Sequence, residues 1–293
     1  MADKLSVADS HEDAEDATLR ALVALVIAVG GGAAVFLIVG PIAEGLRITS
    51  DVGVNALGNL VWLALAVVGA LALRQRLALS FTPLGMAALP AGIVAYGLAV
   101  ALIAISGHTR LQPAPKLAAG PYLAATLGFI LGAFAEEALF RGFLQPLLRR
   151  AWGTATGVIA AAVGFTIVHF VGGWRDPISL ANIGMAGLWF GLLAVRTGGF
   201  GVPFLAHAGW NWSEALLFGA SPNPGHDAAG SLLDVDLTGP AWLGGSGDGM
   251  NSALPATIVL ALMIAPLLFW PPRRSGDALT PDLSRRPMPE LRP

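Results

Sequence analysis

The chain has 293 residues, 55% of them hydrophobic and only 12% charged, with a net charge of −2 and no cysteine. Soluble domains carry about 25% charged residues, so this composition belongs to a membrane protein. It excludes a thiol nucleophile, a thiolate metal site and a disulfide, and no basic patch points to nucleic acid.

The N-terminal stretch, residues 1–20, is polar and acidic. It lacks the basic region and small-residue cleavage site of a signal peptide, so the first apolar segment is expected to stay in place as a membrane span. A spanning helix needs roughly 20 mostly apolar residues. Reading between charged residues gives eight candidates: 21–43, 52–73, 77–109, about 122–148, 151–174, 177–195, about 201–218 and 249–272. The expected fold is therefore all-α and polytopic, a single transmembrane domain over residues 21–270. Residues 220–251 are rich in Gly, Pro and Asp and contain no basic residue. They are expected to form a solvated external connector, with a substrate-guiding lid as the alternative. The Pro-rich, charged tail, 271–293, is expected to be disordered.

Lys and Arg in the loops set orientation. With the N-terminus inside, twelve of the seventeen basic residues fall on the cytoplasmic side, and only Arg47, Arg110, Lys116 and Arg175 on the other. Arg141 lies within a span. Both termini are thus expected in the cytoplasm. Arginine outnumbers lysine 15 to 2, which fits a GC-rich bacterial genome and hence a bacterial plasma membrane.

The fourth segment contains "EEALFR", residues 136–141. A charge at the bilayer centre costs about 2.5–3.5 kcal/mol by insertion scales, so three of them need a reason. Positions four apart share a helix face, so Glu137 and Arg141 are expected to pair, acid before base. Glu136 is rotated about 100° away, and its i+4 neighbour is Phe140. Without a partner in its own helix, it is the candidate for proton exchange near neutral pH.

In the fifth segment, "FTIVHF" places Phe165 and His169 one turn apart. In the seventh, "FLAHAGWNW" does the same for His207 and Asn211. A lone histidine on an apolar face is more often a satisfied core residue than a catalytic one, and polar side chains also tie membrane helices together. Those explanations weaken in combination. The other three histidines, His11, His108 and His226, lie in polar segments, whereas these two stand inside spans and at a one-turn spacing from a marked residue. Intramembrane ionisable groups require mutual pairing, so a common cavity built by helices four, five and seven is expected. It suits amide hydrolysis by activated water, with Glu136 and His169 taking the proton. His207 and Asn211 would donate to the developing oxyanion.

The three motifs E-E-x-x-x-R, F-x-x-x-H and H-x-x-x-N, in this order, resemble those of the CPBP intramembrane proteases. That family includes the type II CAAX prenyl endopeptidases and the bacterial Abi proteins linked to bacteriocin self-immunity. The likeness covers roughly residues 120–215. It implies an all-helical core with a site opening toward the cytoplasm, with Glu136 and His169 activating water. It also implies His207 and Asn211 as oxyanion stabilisers and Glu137 and Arg141 in support. The implied partners are the bilayer and a membrane-embedded or membrane-anchored substrate, prenylated in some relatives. Members are often described as metalloproteases, so zinc held by Glu136, His169 and His207 stays open. With H-E-x-x-H absent, the metal-free glutamate mechanism is favoured.

Other readings are weaker. "GGSG" and "GSGD", residues 244–248, match serine and aspartyl intramembrane-protease strings but lie in the polar loop. A proton-coupled transporter would also bury Glu, His and Arg, and a non-catalytic immunity or scaffold protein would keep the same motifs.

Overall fold

The computed structural model describes the backbone of residues 2–114, 116–220 and 229–270, and side chains from Ala14 onward except Leu84. The C-terminal tail lies outside the described residues. Six helices are long and apolar enough to cross a membrane: α1 (Ala14–Gly45), α2 (Asp51–Ala72), α3 (Gly85–Ile105), α4 (Ala119–Trp152), α5 (Thr154–Gly172) and α6 (Pro177–Thr197). The seventh and eighth expected segments are also helical but shorter. They are α7 (Gly201–Trp212), continued by a π-helical turn Ser213–Leu217, and α8 (Leu254–Phe269). The polar N-terminal stretch is helical as well, continuous with α1 from Ala2.

The boundaries have local causes. Ser50 caps α2 by accepting from the Gly53 amide. Asp176 caps α6 by accepting from Ile178 and Ser179, with Pro177 preorganised in the first turn. A single residue, Gly153 at φ 82°, separates α4 from α5. That backbone conformation is open to glycine at little cost, so the chain reverses there without a loop.

Large apolar side chains cover the outside. Val26, Leu37, Leu71, Ile105 and Phe269 are each more than 70% exposed. A water-soluble fold does not carry such a surface; a bilayer accepts it. The protein is an integral, polytopic, all-α membrane protein.

Two large apolar clusters make up most of the described interior, with a small third one around Ala125, Ala215 and Leu216. One joins α1, α2, α4 and α5 around Trp62, Phe140, Phe143 and Phe165. The other joins α3, α6, α7 and α8 around Tyr96, Trp189, Phe190 and Trp210. Glycines let α3 and α7 approach at backbone distance: a Cβ on Gly92 would stand 2.1 Å from the Ala206 carbonyl oxygen, and one on Gly209 2.3 Å from that of Leu89. Small residues at such crossings are the usual means of close helix packing in lipid. Here they fix the height of His207, one residue from Ala206.

The described part of the 220–251 loop is more than a solvated connector. Its strand β2 (Val235–Leu237) pairs antiparallel with β1 (Thr109–Leu111) from the α3–α4 loop. Val235, Leu237, Leu243 and Met250 are buried. Asn182 of α6 donates to the carbonyls of Asn251 and Ala253, and Thr257 of α8 donates to its Oδ1. The loop's end is thereby tied to the membrane helices.

Candidate active site

The sequence places charge in the middle of α4, and the local fold decides where it points. Glu137 ends the α-helical part; Ala138–Leu144 form a π-helical segment before α-helix resumes at Gln145. Segments of this kind occur mostly as single-turn insertions within α-helices and are frequent at functional sites.

Arg141 Nη1 donates to Glu137 Oε1 at 2.9 Å, and both side chains are fully buried. Arg141 Nη2 donates to the Gly187 carbonyl of α6, also at 2.9 Å. One turn on, Gln145 Nε2 donates to the Gly191 carbonyl at 3.0 Å. Gly187 and Gly191 are themselves one turn apart and bear no side chain, so their helical carbonyls remain open to a second donor. The guanidinium also lies 4.6 Å from the ring centre of Phe165 and 5.4 Å from that of Phe190. A buried ion pair is tolerated only with such additional partners.

Glu137 has a second role. Its Oε1 also lies 2.9 Å from His207 Nδ1. A carboxylate already paired with arginine can only accept, so Nδ1 carries the proton and the ring's other nitrogen is turned away from Glu137. That Nε2 is 4.0 Å from Glu136 Oε2. Phe190 stacks on the His207 ring, centroids 4.7 Å apart at 17°.

Glu136 is rotated off the pair, as helical geometry requires. Its Oε2 is buried without a hydrogen-bond partner among the described residues. His169 gives Nδ1–H to the Phe165 carbonyl at 2.8 Å, and the two rings sit 4.3 Å apart. This leaves His169 Nε2 with a free lone pair.

Glu136, Phe165, His169, His207 and Asn211 all line one cavity of about 210 Å³. The expected site residues are thus together, with Glu137 and Arg141 buried beside them. The cavity is wider than helices four, five and seven: Trp174, Asn182, Trp189 and Phe190 line it from α6 and the loop before it, Asn251, Ala256 and Leu260 from α8 and its approach. Glu214, one turn beyond Asn211, also faces it. A second, more apolar cavity of about 280 Å³ lies between α1, α2 and α4 and shares Phe129, Glu136 and Asn211 with the first.

Sequence reasoning missed Phe190, Gln145 and Asn182. Gln145 was detectable, since Glu137, Arg141 and Gln145 form one i, i+4 stripe. Phe190 was not, because an aromatic in an apolar helix looks like any core residue.

The same residues bear on the zinc alternative. Zinc binds nitrogen and oxygen at about 2.0–2.2 Å. Among the described residues, no three His, Asp or Glu side chains are grouped so as to hold a metal ion. The residues as arranged do not form the Glu136–His169–His207 ligand set.

What the arrangement offers is an unpartnered carboxylate oxygen, a basic imidazole nitrogen, a carboxamide and a second imidazole around a space for water and a short substrate stretch. Searching the curated proteins gives no match. One family model does match, over residues 118–213, described as type II CAAX prenyl endopeptidase Rce1-like. That interval holds all three motifs and Glu136, His169, His207 and Asn211, and over it the chain is similar to the type II CAAX prenyl endopeptidases.

Proposed function

We propose that this protein is an intramembrane endopeptidase that hydrolyses a peptide bond of a membrane-embedded or membrane-anchored substrate with water activated by Glu136 and His169. The observation that carries this reading is the shared cavity of Glu136, His169, His207 and Asn211. The family match supports a CAAX-type protease in general.

Glu136 Oε2 and His169 Nε2 hold the water between them. As its oxygen adds to the scissile carbonyl carbon, Glu136 takes the proton. The carbonyl oxygen becomes an oxyanion, received by Asn211 Nδ2–H and by His207 Nε2–H. Because Nδ1–H is given to Glu137, His207 donates from Nε2 only when the ring carries its second proton. When the tetrahedral intermediate collapses, the C–N bond breaks and Glu136 returns its proton to the leaving amine. No covalent enzyme intermediate forms, and no step is routed through a metal.

The test is reconstitution into liposomes with a library of membrane peptides, comparing wild type, Glu136→Gln and wild type with a strong chelator. Cleavage abolished by the substitution and retained with chelator is the expected result. Cleavage unchanged in Glu136→Gln removes this residue from the chemistry, and loss with chelator restored by zinc overturns the metal-free mechanism.

A further inference from the structure

Two expectations drawn from the sequence conflict once the helices are in place. Loop charges put the arginine-rich face in the cytoplasm, whereas the resemblance implies a site open to the cytoplasm. The helices alternate in direction, so each loop's side is fixed. Arg20, Arg74, Arg76, Arg149, Arg150 and Arg196 fall on one face. Arg20 donates to the Leu73 carbonyl and Arg196 to the Leu267 carbonyl, which ties four helix ends together there. The opposite face carries the described parts of the 106–118, 173–176 and 218–253 loops, where Glu44, Asp51, Asp176, Asp234, Asp236 and Asp248 outnumber Arg47, Arg110, Lys116 and Arg175.

The cavity lies toward this second, acidic face. Trp174 and Asn251 belong to its loops, Glu214 to the α7 end that reaches it, and Asn182 and Ala256 to the first two turns of helices starting from it. His169 stands three residues, about 4.5 Å, from the α5 end on that face. Among the described residues, none that lines the cavity comes from the arginine-side turns; His207 and Phe190, the nearest, stand about 9 Å and about 10.5 Å from the ends of their helices there. The second cavity, lined by Val52, Val54 and Asn55 at the start of α2, lies toward the same face.

We infer that the site is reached from the extracytoplasmic face, so that its substrate is a membrane-anchored peptide presented on that side rather than a lipidated C-terminus delivered from the cytoplasm. The direction of access rests on helix alternation and the positive-inside rule; the word substrate rests on the peptidase reading above.

The chain has no cysteine, so single-cysteine variants report directly. In sealed cells, a membrane-impermeant maleimide is expected to label Arg110→Cys and Arg175→Cys at once and Arg76→Cys only after permeabilisation. A small charged thiosulfonate is expected to reach the cavity-lining Ala186→Cys and Ile183→Cys in sealed cells. Labelling of Arg76→Cys with protection of Arg175→Cys overturns the orientation. Cavity cysteines that react only after permeabilisation, or from neither side, overturn the direction of access. Peptide offered to oriented proteoliposomes then separates the two claims. Cleavage from neither side counts against the peptidase reading and leaves the labelling result standing.

Discussion

Glu137 and His207 are seventy residues apart in sequence, yet Glu137 Oε1 lies 2.9 Å from His207 Nδ1 while pairing with Arg141 at the same distance. One carboxylate oxygen therefore anchors a cation from its own helix and orients an imidazole from another. Glu137 fixes which nitrogen of His207 carries the proton and which faces the cavity. It is a positioning residue, and its loss should register in the chemistry as well as in the fold.

Glu137→Gln keeps the shape and one acceptor oxygen but removes the charge. Its kcat is expected to fall at least about tenfold, equivalent to about 1.4 kcal/mol, with KM little changed. Glu137→Ala is expected to lose activity and also about 3–5 kcal/mol of stability, because Arg141 stays buried without its counter-ion. Steady-state kinetics and thermal unfolding in detergent check both. A Gln variant with wild-type kcat would show that the contact to His207 has no bearing on turnover.

Arg141→Lys tests the planar fork. Arg141 reaches Glu137 and the Gly187 carbonyl through two different nitrogens and lies over Phe165. An ammonium is a point donor and cannot reproduce that geometry. The variant is expected to melt at lower temperature and to show weaker protease resistance at the α4–α6 contact, although charge is conserved.

Gly92 lies outside the site and tests how it is held. In Gly92→Ala, the new methyl would stand 2.1 Å from the Ala206 carbonyl oxygen, far inside van der Waals contact, so α3 and α7 must separate. Overpacking of this kind costs about 1–3 kcal/mol. Because His207 follows Ala206, activity is expected to fall more steeply than melting temperature. Equal loss of both would reduce Gly92 to a packing role.

Asn182→Ala removes two donors to the Asn251 and Ala253 carbonyls and the acceptor for Thr257. At about 0.5–1.5 kcal/mol for each hydrogen bond, the loop's end should open locally while the helices stay folded. Hydrogen exchange at residues 249–254 is expected to quicken by at least tenfold, with little change in α4.

What the sequence revealed divides along a physical line. The pairs Glu137 with Arg141, Phe165 with His169 and His207 with Asn211 lie within one helix each, where a 3.6-residue period decides who shares a face. Resemblance spanning 120–215 and the family match over 118–213 coincide for the same reason, since both rest on those local motifs. Contacts between helices were not legible. That of His207 with Glu137 depends on helix heights set by Gly92 and Gly209, and no local pattern announces it. The 220–251 loop read as solvated because Val235, Leu237, Leu243 and Met250 are diluted among glycines and aspartates. The strand pair they join is only three residues long on each side.

The π-helical segment Ala138–Leu144 sets the phase between the two ends of α4. Each residue added to or removed from a helix turns everything beyond it by about 100°. Shortening this segment by one residue would restore an ordinary α-helix, yet swing Glu136 and Glu137 a quarter-turn or more relative to Gln145 and its anchor on Gly191. The acids would then face lipid or a neighbouring helix while every motif letter survived. Aim in this protein is written in the count of residues between motifs as much as in the motifs themselves.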